Sequence, residues 1–123
     1  NLEKTFLNHP GSACGYSIIA ENKKVCYLLD HEMDKNDDIG RFSFDSDLVF
    51  WDGMYLDKEK NNFKGWGHSS VQDGLEFAEK YNVKNLLICH HSPLRKDEEL
   101  TEIDITFSNN KVKFSYDKKI LTI

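Results

Sequence analysis

Residues 85–91 read Asn85-Leu86-Leu87-Ile88-Cys89-His90-His91, a short apolar run followed at once by two histidines. Continuous apolar runs of this length, bounded by polar residues, are typical of strands that are buried on both faces. Two earlier runs have the same form, since residues 24–29 end at Asp30 and residues 48–51 end at Asp52. Ligands and reactive groups of α/β sheets gather beyond the strand ends, so the sequence predicts one site assembled from several strand ends.

The segments between these runs predict helices outside the sheet. Ser70 and Asp73 have the spacing of a capping box, and apolar residues at 71, 75, 78 and 81 repeat behind them at helical spacing. A second amphipathic helix is predicted at residues 97–107. The run that ends at Asp30 is predicted as a strand at 25–30, and further strands are predicted at 16–20, 112–114 and 120–123. A tight turn is predicted at Asn22-Lys23, whereas residues 31–46 follow no firm pattern. Strands with helices outside them favour an α/β layered fold.

Composition is that of a globular protein of one domain. The chain has 123 residues and a net charge of -5, so no general attraction to a polyanion is expected. Its three cysteines are an odd number and two lie inside apolar runs, which favours reduced thiols and a cytoplasmic location. No apolar stretch approaches the ~20 residues of a membrane helix, so no membrane association is expected. The chain opens on Asn1 without an initiator Met, which we interpret as a start inside a larger domain.

Five motifs follow one another along the chain: Leu7-Asn8-His9-Pro10-Gly11, Tyr27-Leu28-Leu29-Asp30, Trp51-Asp52-Gly53-Met54-Tyr55, Gly67-His68-Ser69-Ser70 and Leu87-Ile88-Cys89-His90-His91-Ser92-Pro93. In order and spacing they resemble the C-terminal half of the metallo-β-lactamase-fold hydrolases. They are most similar to the branch that contains the tRNA 3′-processing endonuclease RNase Z and related phosphodiesterases. The resemblance implies an α/β fold that is the C-terminal half of an αββα sandwich, with a mixed sheet and outer helices.

The resemblance also implies roles for individual residues. His9, Asp30 and His90 fall on positions that bind metal in the family, and Asp30 falls on the residue that bridges two divalent ions. Zinc is the expected metal, although His and Asp ligands also suit Mn or Fe. His68 falls on the histidine that takes part in proton transfer in the RNase Z branch. His68 and Asp30 are therefore the predicted catalytic residues.

One motif of the family is not found in the chain. The main metal motif, His-x-His-x-Asp-His, belongs to the N-terminal half, and the 123 residues contain no such run. Each metal would then have two protein ligands, where a catalytic zinc typically has three and a water. We therefore interpret residues 1–123 as a single partial domain, completed by its N-terminal half or by a second copy of the chain. Alone, it is expected to be inactive, to bind zinc weakly and to expose an apolar sheet face.

The residue types are consistent with hydrolysis by a metal-bound hydroxide. Two metals can share a hydroxide that attacks a phosphodiester near neutral pH, and His68 can then protonate the leaving group. Asp52 is expected to hold the other nitrogen of that imidazole. His91 and Trp66 are predicted to lie in the surrounding shell or to line the pocket. His31 has no motif around it and is expected to be an exposed loop histidine.

The sequence leaves two alternatives to hydrolysis of a small-molecule or nucleotide phosphodiester. The chain can be a non-catalytic half-domain that keeps the fold and serves regulation or assembly. It can also belong to a hydrolase of an ester, a thioester or a lactam, because one metal site serves many substrates in such folds. A His-x-His-x-Asp-His run upstream in the encoded protein would favour an enzyme over the regulatory role.

Overall fold

A computed structural model describes residues 1–123, in which six strands form one sheet. The strands are β1 (Leu2–Leu7), β2 (Ala13–Ala20), β3 (Lys23–Leu28), β4 (Leu48–Asp52), β5 (Leu86–Cys89) and β6 (Val112–Phe114). The helices are α1 (Asp38–Ser43), α2 (Asp57–Lys60), α3 (Val71–Lys80) and α4 (Asp97–Phe107), and a 3₁₀ turn covers Asn61–Phe63. None of the helices combines the length and the apolar character that crossing a bilayer would require.

The strands lie side by side in the order in which they occur in the chain. β1, β2 and β3 are antiparallel neighbours, whereas β3, β4, β5 and β6 run parallel to one another. The carboxyl ends of β3, β4 and β5 therefore meet at one edge of the sheet, and β1, which runs in the same direction as β3, ends there too. The mixed sheet with outer helices is confirmed, and its topology explains why residues far apart in sequence meet at this edge.

One face of the sheet is covered by helices. α3 packs over β4 and β5, α4 over β6, and α1 against β1. In the core beneath them the Trp51 ring lies on Phe77 of α3, with ring centroids 4.7 Å apart. The Trp51 Nε1–H also donates to the Ser70 carbonyl at 3.0 Å. α3 is thereby fastened to the sheet beside the strand ends that carry the polar residues.

Gly74 on α3 gives a stability prediction. A Cβ at this position would lie 2.6 Å from Trp51 Cδ1, and Trp51 is fully buried and hydrogen-bonded. Ala favours a helix over Gly by about 1 kcal/mol, but overpacking of a tight core costs roughly 1–3 kcal/mol. We expect Gly74→Ala to lower the free energy of unfolding by up to about 2 kcal/mol in urea titrations. Glu76→Ala, at an exposed position of the same helix, is the control and should change it by less than about 0.5 kcal/mol.

The opposite face of the sheet is open over its first three strands. Leu2, Phe6, Tyr16, Ile18 and Tyr27 point to this side and are between 41% and 74% exposed. Pairing places Leu2 opposite Ile18 and Tyr16 opposite Tyr27, so the apolar side chains form a continuous surface. We call it the open sheet face. A contiguous exposed apolar patch of this kind marks an interaction surface.

The predicted helices are confirmed at their boundaries. The Ser70 Oγ accepts the Asp73 N–H, and the Asp73 carboxylate accepts the Ser70 N–H, each at 3.0 Å. α3 begins directly after this capping box. α4 covers the predicted residues 97–107, with Ile103 buried on the core side.

Two local predictions are wrong, and one segment without a firm prediction contains a helix. Residues 120–123 form no strand, because Leu121 packs on Leu48 and Leu87 beside the open sheet face and does not pair with an edge strand. The turn between β2 and β3 lies at Glu21-Asn22, one residue earlier than predicted, since both of these residues have the positive φ that a two-residue hairpin loop needs. Residues 31–46, which show no periodicity, contain the short helix α1.

Candidate metal centre

Four polar side chains from the strand-end edge form a compact cluster. One ligand atom of each of Asp30, Asp52, His68 and His90 lies within 4.8 Å of the others. Asp30 follows β3, Asp52 ends β4 and His90 follows β5, so three neighbouring parallel strands supply three of the four side chains. His68 comes from the loop that precedes α3. The structure thus brings together residues that the apolar runs predict to be near one another.

The backbone turns sharply where two of these side chains leave the sheet. Asp30 has a φ of 60° and His90 a φ of 56°, both in the left-handed region. Few residues other than Gly adopt this conformation, and Asp and His are among the side chains that tolerate it. Such backbone strain is concentrated at functional sites, where the surrounding structure maintains it. Here the turn redirects each side chain away from the strand axis and into the cluster.

Three imidazole rings converge on one oxygen of Asp30. Its Oδ1 lies 3.4 Å from His90 Nε2, 3.9 Å from His9 Nε2 and 3.9 Å from His68 Nδ1. These distances are too long for good hydrogen bonds, although each of the three rings lies within 4 Å of the Asp30 carboxylate. The His9 ring also packs edge-on to the His68 ring, with centroids 5.4 Å apart. His9, predicted from the family motif, is therefore placed at the margin of the cluster.

The buried carboxylate of Asp52 holds the cluster in place through hydrogen bonds. Asp52 is fully buried, and its carboxylate accepts the backbone N–H groups of Asp30 at 3.1 Å and of Met54 at 3.2 Å. Its Oδ2 also lies 2.8 Å from His68 Nδ1. Because a carboxylate accepts hydrogen bonds, Nδ1 is the protonated nitrogen of that ring and Nε2 remains available. The predicted contact between Asp52 and the imidazole of His68 is present in this geometry.

His90 is held close to both carboxylates. Its Nδ1 is buried without a hydrogen-bond partner and lies 3.5 Å from Asp52 Oδ2. The Asp52 carboxylate, aided by Asp30 and opposed by burial, raises the pKa of His90 above its ordinary value. A buried polar atom left unpaired in this way is uncommon and calls for an explanation such as a missing ion.

The loop that carries His68 depends on residues that sequence reasoning missed. Glu32 accepts the backbone N–H groups of Gly65 at 2.8 Å and Gly67 at 3.0 Å. Ser69 Oγ bridges the same two segments, donating to the His31 carbonyl and accepting the Met33 N–H. The one sequence signal was the Gly-Trp-Gly pattern before His68, which indicates a turn without revealing its acidic anchor.

Gly67 fits closely against His9. Its φ is 90°, and a Cβ at this position would lie 2.2 Å from His9 Cδ2. Only a residue without a side chain permits both this backbone conformation and this approach. The two histidine-bearing loops therefore rest directly on each other.

The remaining predicted residues lie outside the cluster. His91 points to the other side of its strand end, stacks on Phe114 with centroids 5.9 Å apart, and lines a separate cavity of about 300 Å³. Burial lowers the pKa of His91. Trp66 is exposed on the loop before His68.

The prediction that His31 is an exposed loop histidine is wrong. His31 is 2% exposed, and its Nδ1 accepts the Asn8 N–H at 3.2 Å. The cause is local pairing, because the Glu32 N–H donates to the Asn8 carbonyl at 2.9 Å and draws this segment along the end of β1. Burial lowers the pKa of His31.

The donor set fits a divalent metal. His9, Asp30 and His90 offer two imidazoles and a carboxylate, which are ligand types of zinc and related ions. Two ligands of one tetrahedral zinc, each at ~2.0–2.1 Å, lie roughly 3.4 Å apart, and His90 Nε2 lies 3.4 Å from Asp30 Oδ1. His90 Nδ1 faces Asp52 Oδ2 at 3.5 Å, which leaves Nε2 for a metal, as in sites where a ligating histidine donates its other N–H to a carboxylate.

Comparison with known proteins identifies relatives of the chain. A family model described as the beta-lactamase superfamily domain matches residues 2–91. The chain is 26% identical to Ribonuclease Z of Bradyrhizobium diazoefficiens over 80 residues, which are 64% of this chain and 27% of that protein. It is 32% identical to Ribonuclease Z of Staphylococcus aureus strain Newman over 69 residues, which are 56% of this chain and 22% of that protein.

A solved structure extends the likeness over the whole chain. The short form of human tRNase Z superposes with a TM-score of 0.78 at 22% sequence identity. The match covers 99% of this chain and 42% of the human chain. The metallo-β-lactamase fold predicted from the motifs is thereby confirmed, as a half-domain of that fold. The chain spans about a quarter of the length of the two curated relatives and less than half of the human protein.

Proposed function

We propose that the chain is the C-terminal half of a metal-dependent phosphodiester hydrolase. The premise is that the chain belongs to the beta-lactamase superfamily, whose domain model it matches. The family consists of metal-dependent hydrolases, and the curated relatives carry the name Ribonuclease Z. One observation carries the proposal. The imidazoles of His9 and His90 face Asp30 Oδ1 directly beside a hydrogen-bonded Asp52–His68 pair. This arrangement supports a metal site with a proton donor beside it, a combination suited to phosphodiester cleavage.

His9, Asp30 and His90 are the residues that would hold metal. A divalent ion bound there would supply a polarised phosphoryl group and an activated water near neutral pH. We assign two ions, with zinc the expected metal and Mn or Fe as the other candidates, because the ligands are imidazoles and a carboxylate. Asp30 suits a bridging position, since it is the one anionic ligand of the three and has two oxygens.

His68 is assigned to proton transfer. Its Nδ1–H donates to the buried Asp52 carboxylate at 2.8 Å, which fixes the orientation of the ring. Nε2 is then the nitrogen that can exchange a proton with the leaving alkoxide. Asp52 is therefore a positioning residue, and His68 is the catalytic one.

The rest of the site comes, in this proposal, from the N-terminal half of the same domain. The His-x-His-x-Asp-His run would add the ligands that His9, Asp30 and His90 do not supply. The open sheet face gives that half a surface to cover, since its side chains are apolar and between 41% and 74% exposed. A second copy of the chain would cover the same face without adding the motif.

We expect the 123-residue chain to bind zinc weakly and to hydrolyse phosphodiesters only after completion by that half. Competition with a chromogenic chelator measures zinc affinity for the chain alone and for the completed domain. Release of p-nitrophenol from bis(p-nitrophenyl) phosphate, with p-nitrophenyl acetate as the ester control, measures the reaction. The completed domain should cleave the diester in a metal-dependent reaction. The isolated chain should not, because two ligands per metal leave its site incomplete.

Each result that would contradict the proposal points to a different alternative. Tight, stoichiometric binding of two zinc ions by the monomeric chain would contradict the half-site. Cleavage of the ester without the diester would move the proposal to another bond, and a metal-loaded, completed domain that cleaves neither would favour the regulatory role.

A further inference from the structure

The indole of Trp66 is exposed to solvent although the backbone on both sides of it is firmly held. Trp66 is 63% exposed. The Glu32 carboxylate accepts the N–H groups of Gly65 and Gly67 at 2.8 and 3.0 Å, immediately before and after the tryptophan. Both glycines have left-handed φ values, of 87° and 90°. The loop, and not burial, therefore fixes the position of this ring, as expected of a preformed binding surface.

A series of aromatic contacts leads from Trp66 to the metal cluster. The Trp66 ring packs edge-on to Phe63 at a centroid distance of 5.6 Å, and Phe63 stacks on Tyr55 at 4.6 Å with the planes 4° apart. Tyr55 in turn lies edge-on to His68 at 6.2 Å. Tyr55 is buried and Phe63 half-buried, so they support the outer ring from behind. Trp66 is left with ring surface free to stack on a ligand.

Two lysines line a cavity that His68 also lines. Lys60 and Lys64 line a cavity of about 170 Å³ together with His68, Glu32 and Asp73. Lys60 is already paired with Asp73 at 2.7 Å, whereas the side chain of Lys64 is exposed. Ligand pockets usually measure roughly 300–1,000 Å³, so this cavity can accept only part of a nucleotide. Trp66 is two positions along the chain from Lys64 and two from His68, which both line this cavity, so an aromatic ring that extends out of the cavity would be close to the indole.

We infer that Trp66 is a stacking platform for a nucleobase of the substrate, and that Lys64 neutralises a neighbouring phosphate. This inference rests on the proposed function, since it assigns nucleotides as the substrate class of that site. Every base has a π-face, so stacking on Trp66 selects a nucleobase without selecting its identity. A basic side chain beside an aromatic platform is a common arrangement for single-stranded nucleic acid. The net charge of -5 does not oppose it, because the contact is local.

The missing half of the domain is the competing occupant of Trp66. The open sheet face carries Tyr16, Tyr27 and their neighbours, whereas the Trp66 loop leads into α3 on the helix-covered side of the sheet. Coverage of the open sheet face therefore does not require contact with Trp66. Fluorescence in the completed domain separates the two occupants, because a covered indole is protected from acrylamide quenching.

The binding test uses adenosine monophosphate and ribose 5-phosphate, in EDTA, with the protein alone and in the completed domain. The chain has two tryptophans and Trp51 is fully buried, so quenching by a stacked base reports on Trp66. Adenosine monophosphate should quench, and Trp66→Ala should weaken its binding roughly 5–150-fold, the effect of losing one stacked base. Trp66→Phe should retain most of the affinity by calorimetry. Ribose 5-phosphate should bind equally to all variants.

Phe44→Ala is the matched control. Phe44 is another exposed aromatic, 56% exposed, and it precedes β4, near the edge of the sheet opposite the cluster. Its replacement should change nucleotide affinity less than about 2-fold. Equal affinity for the two ligands, absence of quenching, or an indole protected in the completed domain would each overturn the inference. Hydrolysis of methyl p-nitrophenyl phosphate, which carries no base, reports separately on the proposed function. Absence of this hydrolysis while base stacking is intact would contradict the proposed function and leave the role of Trp66 in binding unchanged.

Discussion

Asp30→Asn is expected to abolish metal binding and hydrolysis together in the completed domain. Asn retains the shape of Asp30 and tolerates its left-handed φ of 60°, so the change removes the charge while leaving the backbone intact. The anionic oxygen on which His9, His68 and His90 converge is then replaced by a neutral amide. Loss of a supporting group around a metal ligand typically costs 10–100-fold in affinity, and loss of the bridging ligand itself should cost more.

The measurement is metal content beside single-turnover rate. Activity should fall in proportion to the loss of metal, and excess zinc should restore little of it. Asp34→Ala, which removes an exposed carboxylate four residues further along the same segment, is the control and should leave metal content unchanged. A fully metallated Asp30→Asn domain with normal activity would exclude Asp30 as a ligand.

Asp30→Ala adds a second effect that can be separated from the first. Ala removes the carboxylate and is also strained at a positive φ. We expect both variants to lose metal, but Ala to lower the free energy of unfolding in EDTA by about 1–2 kcal/mol more than Asn. Urea titration without metal measures this difference, and equal stabilities would indicate that the turn carries no strain.

The centre of the site was predictable from the sequence because its physics is regular. Apolar runs that end at Asp30 and Asp52, and the run that ends before His90, become neighbouring parallel strands. Parallel neighbours necessarily place their carboxyl ends at one edge, so adjacency along the sheet gives adjacency in space. The capping box at Ser70 fixed the start of α3 for a similarly local reason.

The support around the site was not predictable in the same way. Glu32 and Ser69 each act through two contacts with residues more than 30 positions away, and no periodic pattern marks such contacts. His31 was misjudged because its burial arises from pairing with Asn8 at the end of another strand. His91 points away from the cluster because His90 before it has a left-handed φ. The types of the residues alone do not reveal this backbone conformation.

His68→Ala should lower kcat on a phosphodiester with an alkyl leaving group by roughly 10²–10⁴-fold while metal content is unchanged. An alkoxide leaves poorly without a proton, whereas p-nitrophenolate leaves readily as an anion. If His68 supplies that proton, the loss should therefore shrink to less than about 10-fold on a p-nitrophenyl diester. A loop displaced by the mutation would instead slow both substrates alike, because Gly67 and His9 shape the site for either.

Asp52→Asn tests the same proton transfer through the residue that holds the other nitrogen of the His68 ring. Asp52 accepts from His68 Nδ1 at 2.8 Å, and an amide in its place holds the imidazole less firmly. The expected loss is roughly 10–100-fold on the alkyl diester, again smaller on the p-nitrophenyl diester. In the double variant the effect of Asp52→Asn should vanish, because a positioning residue has no role once the group that it positions is gone. A full, independent loss from Asp52→Asn in the His68→Ala background would mean that Asp52 acts directly on the metal site, where it also contacts His90 at 3.5 Å.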